Sequence, residues 1–320
     1  MNRNRQENIY RSLEEIVQDF FGKSTRVIRT DGVSGGDINR AYRLSLSTGD
    51  SIFVKINSIR NLNFFLTESA GLRALQSLKK IGVPEMLGAG VDEQKKISFL
   101  ALEYIESSPR ITSYWETFGH ELARLHRAEC MKFINPDDDR AKYGFMEDNY
   151  IGTATQKNQP MEKWSDFYRE CRLLPQIAMA ERYFDATTRK KVDWLLGHLD
   201  SYLREPDFSS LLHGDLWSGN MLCGSDGKAW ILDPAAYVGD FEADLAMTQL
   251  FGSLPEKFYD AYNEINPIDR KGYKERRKLY DLYHLLNHLN LFGEIYLESV
   301  TGIINWFGGK SGGIKYSKFT

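Results

Sequence analysis

One stretch constrains what this chain can fold into more than any other: Leu211-Leu212-His213-Gly214-Asp215-Leu216-Trp217-Ser218-Gly219-Asn220, followed shortly by Trp230-Ile231-Leu232-Asp233-Pro234. The run Ala229 to Leu232 reads as a buried strand, bounded on one side by Ser225-Asp226-Gly227 and on the other by Pro234. The segment therefore offers a carboxylate and an amide in a loop, and a second carboxylate at a strand end. Transfer of a phosphoryl group from a nucleotide needs such a set: one carboxylate at the attacking hydroxyl, and hard oxygen ligands that hold magnesium against the phosphates. His213-Gly214-Asp215 alone is equally turn chemistry, since Gly and Asp dominate turns. Asn220 and Asp233 at workable spacing favour the catalytic reading.

Asp215 and Asn220 stand at the Asp-x-x-x-x-Asn spacing of a kinase catalytic loop, in which the first residue takes the hydroxyl proton and the second binds metal. Such a loop implies a nucleotide-holding set upstream. Ser34-Gly35-Gly36-Asp37-Ile38-Asn39 precedes the alternating run Ala41 to Leu46, which reads as one strand of a hairpin. Small residues at Gly35 and Gly36 would let backbone N–H groups reach phosphate oxygens, although two glycines before a strand also make an ordinary turn. Asp37 would repel phosphates, so its side chain is expected to bond local amides. After a turn at Thr48-Gly49-Asp50, Ser51 to Ile56 reads as the partner strand and carries Lys55 among apolar neighbours. An unpaired buried ammonium is costly. Glu68, on the helical run Asn61 to Lys80 with its stripe of Phe65, Leu72, Leu75 and Leu78, is the natural counter-charge; independent surface charges are the alternative. Ile97 to Ile105 is the next strong strand, and its end, around Glu103 and Ile105, is where backbone groups would be offered to adenine.

The combination of Ser34 to Asn39, Asp148-Asn149-Tyr150-Ile151-Gly152 with Gln156-Lys157-Asn158, His213 to Asn220 and Asp233-Pro234-Ala235 resembles the fructosamine kinase family, whose motifs span most of the chain. That family in turn resembles aminoglycoside phosphotransferases, which share the His-Gly-Asp and later Asp motifs within the protein-kinase-like fold. Leu216-Trp217-Ser218-Gly219 and the Asn149 to Asn158 block separate the two and favour fructosamine kinases. The resemblance implies ATP-dependent phosphorylation of the 3-hydroxyl of ketosamines, with Asp215 as base, Asn220 and Asp233 as magnesium ligands, and Lys55 with Glu68 positioning the phosphates. Asp37 stands where some relatives carry a loop cysteine, so a thiol switch at that position is unavailable here.

Other residues keep two readings. The Trp217 ring either covers the apolar face of a sugar or amine substituent, or packs as a core indole. His213 is expected to brace the loop rather than act as base. Asp240, Glu242 and Asp244 open a helix, where capping and dipole effects explain acids, yet Asp240 or Glu242 could also receive a substrate ammonium. His284 and His288 share an i, i+4 face without the glutamate of His-Glu-x-x-His, which favours packing over metal.

The chain has 320 residues, enough for one large two-lobed domain. Forty-one Lys and Arg against 44 Asp and Glu give a net charge of −3 with no concentrated basic stripe, which speaks against nucleic acid and anionic membrane as partners. The first residues lack a secretory apolar core, and no apolar run of about 18 residues could span a bilayer, so a cytoplasmic enzyme of small molecules is expected. Cys130, Cys171 and Cys223 are scattered and read as buried thiols. The expected fold is α+β and protein-kinase-like: an N-terminal antiparallel sheet plus one helix over residues 1–106 that binds nucleotide, and a mainly helical catalytic and substrate-binding lobe over 107–320, with ATP and Mg2+ between them. Rival readings are a kinase of another hydroxyl compound, such as an aminoglycoside or amino alcohol, and a non-catalytic nucleotide-binding pseudokinase.

Overall fold

A computed structural model describes residues 9–33, 38–135 and 140–309. The elements run α1 (Leu13–Phe21), β1 (Val27–Val33), β2 (Arg40–Leu46), β3 (Ser51–Ser58), α2 (Leu62–Leu78), β4 (Met86–Asp92), β5 (Ile97–Glu103) and α3 (Tyr114–His126). There follow β6 (Asn149–Ile151), β7 (Ala154–Gln156), α4 (Trp164–Tyr168), α5 (Leu174–Ala180), α6 (Ala186–Gly197), β8 (Ser210–Leu212), β9 (Met221–Cys223) and β10 (Ala229–Ile231). The chain continues through β11 (Tyr237–Gly239), α7 (Glu242–Leu250), α8 (Glu256–Ile265), α9 (Arg270–Phe292) and α10 (Leu297–Gly308).

Two compact units emerge. The first comprises Met1–Ala128, His213–Ala236 and Gly252–Pro267, so it continues past Glu106. Its centre is an antiparallel sheet in the order β1-β2-β3-β5-β4. The alternation along β3 divides its residues between two faces. Ile52 and Val54 join a core with Leu44, Leu46, Leu87, Phe99 and Ala101, closed by Ile16 and Val17 of α1. Lys55, one residue out of phase, faces α2. The helix α1 is an addition to the single N-terminal helix expected. Ser12 caps it, its Oγ accepting from Glu15 N at 3.2 Å, and each of its two buried aliphatic residues contributes about 1.5–3 kcal/mol of transfer free energy. In the same unit α3 packs on α8: Phe118 and Phe258 stand 4.9 Å apart, and His126 Nδ1 meets Tyr262 Oη at 2.8 Å.

The second unit, Glu129–Leu212, Tyr237–Phe251 and Ile268–Thr320, is mainly helical around α9. Polar groups organise its interior. Gln156 Nε2 and Asn158 Nδ2 donate to Asn149 Oδ1 at 2.8 and 3.1 Å, Tyr283 Oη donates to Gln156 Oε1 at 2.7 Å, and Arg172 Nη2 donates to Asn158 Oδ1 at 2.9 Å. The Asn149 to Asn158 block thus makes the β6–β7 hairpin and a buried hydrogen-bond network. Arg172, fully buried, lies 3.8 Å from the centre of the Tyr237 ring.

Asp240 and Glu242 lie in the interior of this second unit. Both are 0% exposed. Arg276 grips Glu242 through two hydrogen bonds of 2.7 Å, Arg204 adds a third contact at 3.4 Å, and Tyr280 Oη donates to Asp240 Oδ2 at 2.9 Å. Asp240 Oδ1 also accepts from Glu242 N at 3.0 Å, which satisfies one of the free N–H groups of the first turn of α7 from the residue before its N-cap, Phe241. A substrate ammonium at either carboxylate would have to compete with these internal partners. Burial, reinforced by Glu242, pushes the Asp240 carboxyl up to about 7. His284 and His288 are packing residues: His288 Nδ1 meets the His284 carbonyl at 2.8 Å, its ring lies 4.6 Å from Phe251, and burial pulls His284 down to about 3.

Candidate active site

Lys55 sits on β3, the middle strand of the sheet, in register with Ala41 on one side and Leu100 on the other. Hydrogen bonding on both edges fixes its backbone, and its Nζ lies 2.7 Å from Glu68 Oε1 of α2 and 2.7 Å from Asp233 Oδ1. The Lys55–Glu68 contact matches the expected pairing; the direct contact with Asp233 was not expected. Burial alone would lower the Lys55 pKa, but Asp233 and Glu68 outweigh it and hold the ammonium above its ordinary value. Burial raises the Glu68 carboxyl, and Lys55 opposes that.

Asp233 follows β10, which pairs antiparallel with β9. Its backbone has φ 56°, the left-handed region that a non-glycine residue adopts at a cost. Strain of this kind is held by its surroundings. Leu232 N donates to the Asn220 carbonyl at 2.9 Å, and His213 Nε2 donates to the Leu232 carbonyl at 2.7 Å. The other His213 nitrogen, Nδ1, accepts from Asp215 N at 3.3 Å, so the imidazole links the Asp215 loop to the segment that delivers Asp233.

Asn220 makes the second link. Its Nδ2 donates to the Asp215 carbonyl at 2.9 Å and to Asp215 Oδ2 at 3.1 Å, while its own carbonyl holds Leu232. With Nδ2 engaged by Asp215, Asn220 Oδ1 is the acceptor end of the amide. That oxygen and the Asp233 carboxylate, whose side chain is 42% exposed, are hard donors suited to magnesium. Among the described residues no group of three or more His, Cys, Asp or Glu converges as a metal cage. Two protein ligands completed by phosphate oxygens and water is the usual magnesium arrangement.

Trp217 is exposed rather than part of a core. Its ring packs against Gly219, where a Cβ would come within 2.3 Å of the indole, so a larger residue there would displace the ring. Glu103 ends β5 and folds its side chain back to accept from Glu85 N at 3.1 Å. Beyond Ile105, Ser108 binds β9 and its following turn, its N donating to the Cys223 carbonyl at 2.8 Å and its Oγ to the Gly224 carbonyl at 2.6 Å. The stretch around Glu103 and Ile105 is therefore tied at its far end to the strand that follows Asn220. Gly35 and Gly36, with Ser34 and Asp37, lie outside the described residues.

The structure joins Lys55, Glu68 and Asp233 in one cluster, and Asp215, Asn220 and His213 in another, with the Asn220–Leu232 bond between them. Asp240 and Glu242 belong to the second compact unit and its internal network. Two features have no local sequence signal: the Lys55–Asp233 contact and the left-handed backbone of Asp233.

The family model of fructosamine kinases matches residues 9–307. The chain is 38% identical to the probable ketoamine kinase of Synechocystis over 294 residues, covering 90% of this chain and 93% of the relative. It is 36% identical to the chloroplastic protein-ribulosamine 3-kinase of Arabidopsis thaliana, covering 89% and 84%. Among solved structures, a fructosamine-3-kinase candidate from Haemophilus somnus superposes with a TM-score of 0.80 at 28% identity, covering 93% of this chain and 97% of that one. The protein-kinase-like fold is shared more distantly with aminoglycoside 2'-phosphotransferase-IIIa, at a TM-score of 0.56 and 13% identity over 93% and 97% of the two chains. With the match running from the first described residues to α10, the chain belongs to the fructosamine kinase family.

Proposed function

We propose that the protein transfers the γ-phosphoryl group of ATP to the 3-hydroxyl of a ketosamine, of fructosamine, ribulosamine or erythrulosamine type, as a step in removing sugar adducts from amines. The observation that carries this reading is the pairing of Lys55 with both Glu68 and Asp233, joined through Asn220 to Asp215. Asp215 accepts the proton as the sugar oxygen attacks phosphorus; the new O–P bond forms as the bond to the β-phosphate oxygen breaks, and ADP leaves. Lys55, kept charged and held by Glu68, meets the phosphate oxygens. Asn220 and Asp233 would hold magnesium, which when bound offsets charge on the phosphates. The indole of Trp217, exposed beside the base loop, offers a flat apolar surface to the sugar or the amine substituent.

Nucleotide binding is assigned to residues up to about 106, and the acceptor to the remainder. The acceptor is a small molecule, not a nucleic acid, in keeping with the net charge of −3. No helix among the described residues is long and apolar enough to cross a membrane. Cys130, Cys171 and Cys223 are free and buried, which accords with a reducing, cytoplasmic setting. The test is incubation with magnesium-ATP and a panel of fructosamine, ribulosamine and erythrulosamine derivatives, an aminoglycoside and an amino alcohol, read by mass spectrometry. A ketosamine phosphate supports the assignment. Phosphorylation of the aminoglycoside or amino alcohol alone would replace the substrate, and ATP binding without any product would favour a pseudokinase.

A further inference from the structure

Gly71 occupies the interior of α2, three residues after Glu68, and is buried. On propensity alone glycine is a poor choice there, since it weakens a helix interior relative to alanine. Its neighbours give the reason for it. A Cβ at position 71 would lie 3.2 Å from Ala236 Cβ, closer than such groups ordinarily approach, and would already be in full contact with Pro234 Cγ at 3.4 Å. Pro234 and Ala236 are themselves buried and follow directly on Asp233. Glu68 and Gly71 share a helix face, one turn apart. The depth at which α2 rests on Pro234 and Ala236 therefore fixes how far the Glu68 carboxylate reaches toward Lys55. Lys55 in turn binds Asp233, at the head of the segment on which the helix rests. Charge and packing thus close the same ring from two sides: Glu68 to Lys55 to Asp233, and back through Pro234 and Ala236 to Gly71.

We propose that Gly71 is a positioning residue, whose missing side chain sets the spacing between α2 and the Asp233 segment and so holds Glu68, Lys55 and Asp233 in contact. The inference rests on the reading of this cluster as the phosphate-positioning part of a kinase. It makes the glycine a requirement of function at a position where helix propensity favours alanine.

The test compares Gly71→Ala, Gly71→Val, the double variant Gly71→Ala with Ala236→Gly, and Gly302→Ala, a control inside α10 where a Cβ meets nothing within 4 Å. Melting temperature, magnesium-ATP affinity and turnover are measured for each. Gly71→Ala is expected to melt no lower than the parent while its ATP affinity and kcat/KM fall about fivefold, because a shift of a few tenths of an ångström costs a fraction of what a full ångström does. Gly71→Val is expected to lose more than about a hundredfold in kcat/KM. Removing the opposing methyl in the double variant is expected to restore most of the alanine loss, and Gly302→Ala is expected to leave activity unchanged. Parental ATP affinity and kcat/KM in Gly71→Ala would overturn the proposal. So would a loss that tracks a lowered melting temperature and is not recovered by Ala236→Gly, since that pattern belongs to a merely structural residue. ATP affinity reports the cluster whichever acceptor is used, so absence of ketosamine turnover in the parent would count against the substrate and not against Gly71.

Discussion

Replacing Lys55 with methionine keeps the reach of the side chain and removes its charge, leaving Glu68 and Asp233 to face each other. Each carboxylate oxygen is 2.7 Å from Nζ, so the two lie about 4–5 Å apart, and at an effective dielectric constant of about 20 their repulsion is about 4 kcal/mol. Glu68 is only 14% exposed but Asp233 is 42% exposed, and solvent screening brings the expected loss of stability to about 1–2 kcal/mol. The loss should depend on pH in a set direction. In the parent, Lys55 opposes the burial and the Asp233 charge that raise the Glu68 carboxyl; in the variant nothing does. A carboxyl whose folded pKa exceeds its unfolded value contributes stability that is complete below the unfolded pKa and is lost as the pH rises through the folded one. The deficit of Lys55→Met is therefore largest at about pH 8 and shrinks toward about pH 5, as Glu68 takes up a proton. Urea unfolding of parent and variant without nucleotide or magnesium, followed by circular dichroism at both pH values, gives the two differences. Equal deficits at the two pH values, or a deficit below about 0.5 kcal/mol at the higher one, would refute the electrostatic account of the cluster.

The Glu242→Gln variant leaves Arg276 and Arg204 without their buried carboxylate and is expected to lose about 3 kcal/mol in urea unfolding, while kcat/KM per folded molecule stays within about twofold; a selective loss of affinity for charged ketosamines would return Glu242 to the substrate site. Asp281 Oδ1 is buried without a partner among the described residues, and burial pushes the carboxyl up to about 6, against the pull of Arg277. Because that folded value lies above the unfolded one, the parent loses stability as pH rises from about 4 through about 6. Asp281→Asn is then expected to be about 1–2 kcal/mol more stable than the parent at about pH 8, once the lost Arg277 contact is discounted, and to show no advantage near pH 4. The Trp217→Ala variant is expected to raise the KM for ketosamine about tenfold and leave the KM for ATP unchanged, with melting temperature nearly constant because the ring is exposed; equal changes in both KM values would remove the indole from the acceptor site.

What could be read in the sequence follows from how local each cause is. Alternation along Ala41 to Leu46 and Ser51 to Ile56, with a Gly-Asp turn between, gives β2 and β3 from neighbouring residues alone. The Lys55–Glu68 pairing was legible because an ammonium among apolar residues demands a partner and α2 is the next element. The helix α1 carries its own signals, Ser12 and Glu15 before Ile16 and Val17, but it precedes the catalytic order and a motif-led reading does not reach it. Asp240 and Glu242 show where local reading stops: acids at a helix start fit a cap and a ligand site equally, and their internal partners Arg276 and Tyr280 come 34 and 40 residues later. The left-handed backbone of Asp233 and the close approach at Gly71 depend on packing between distant segments, for which single residues give no periodic signal.

The most direct measurement is single-turnover formation of phosphorylated ketosamine from magnesium-ATP by the parent and by Asp215→Asn, with ATP affinity measured on the same samples by calorimetry. The asparagine keeps the shape of the side chain and cannot accept the hydroxyl proton. Product formation slowed by about 10²–10⁴-fold with ATP affinity nearly unchanged is the expected result. Turnover near the parental rate would contradict the assignment of Asp215 as the base and, with it, the account of the site.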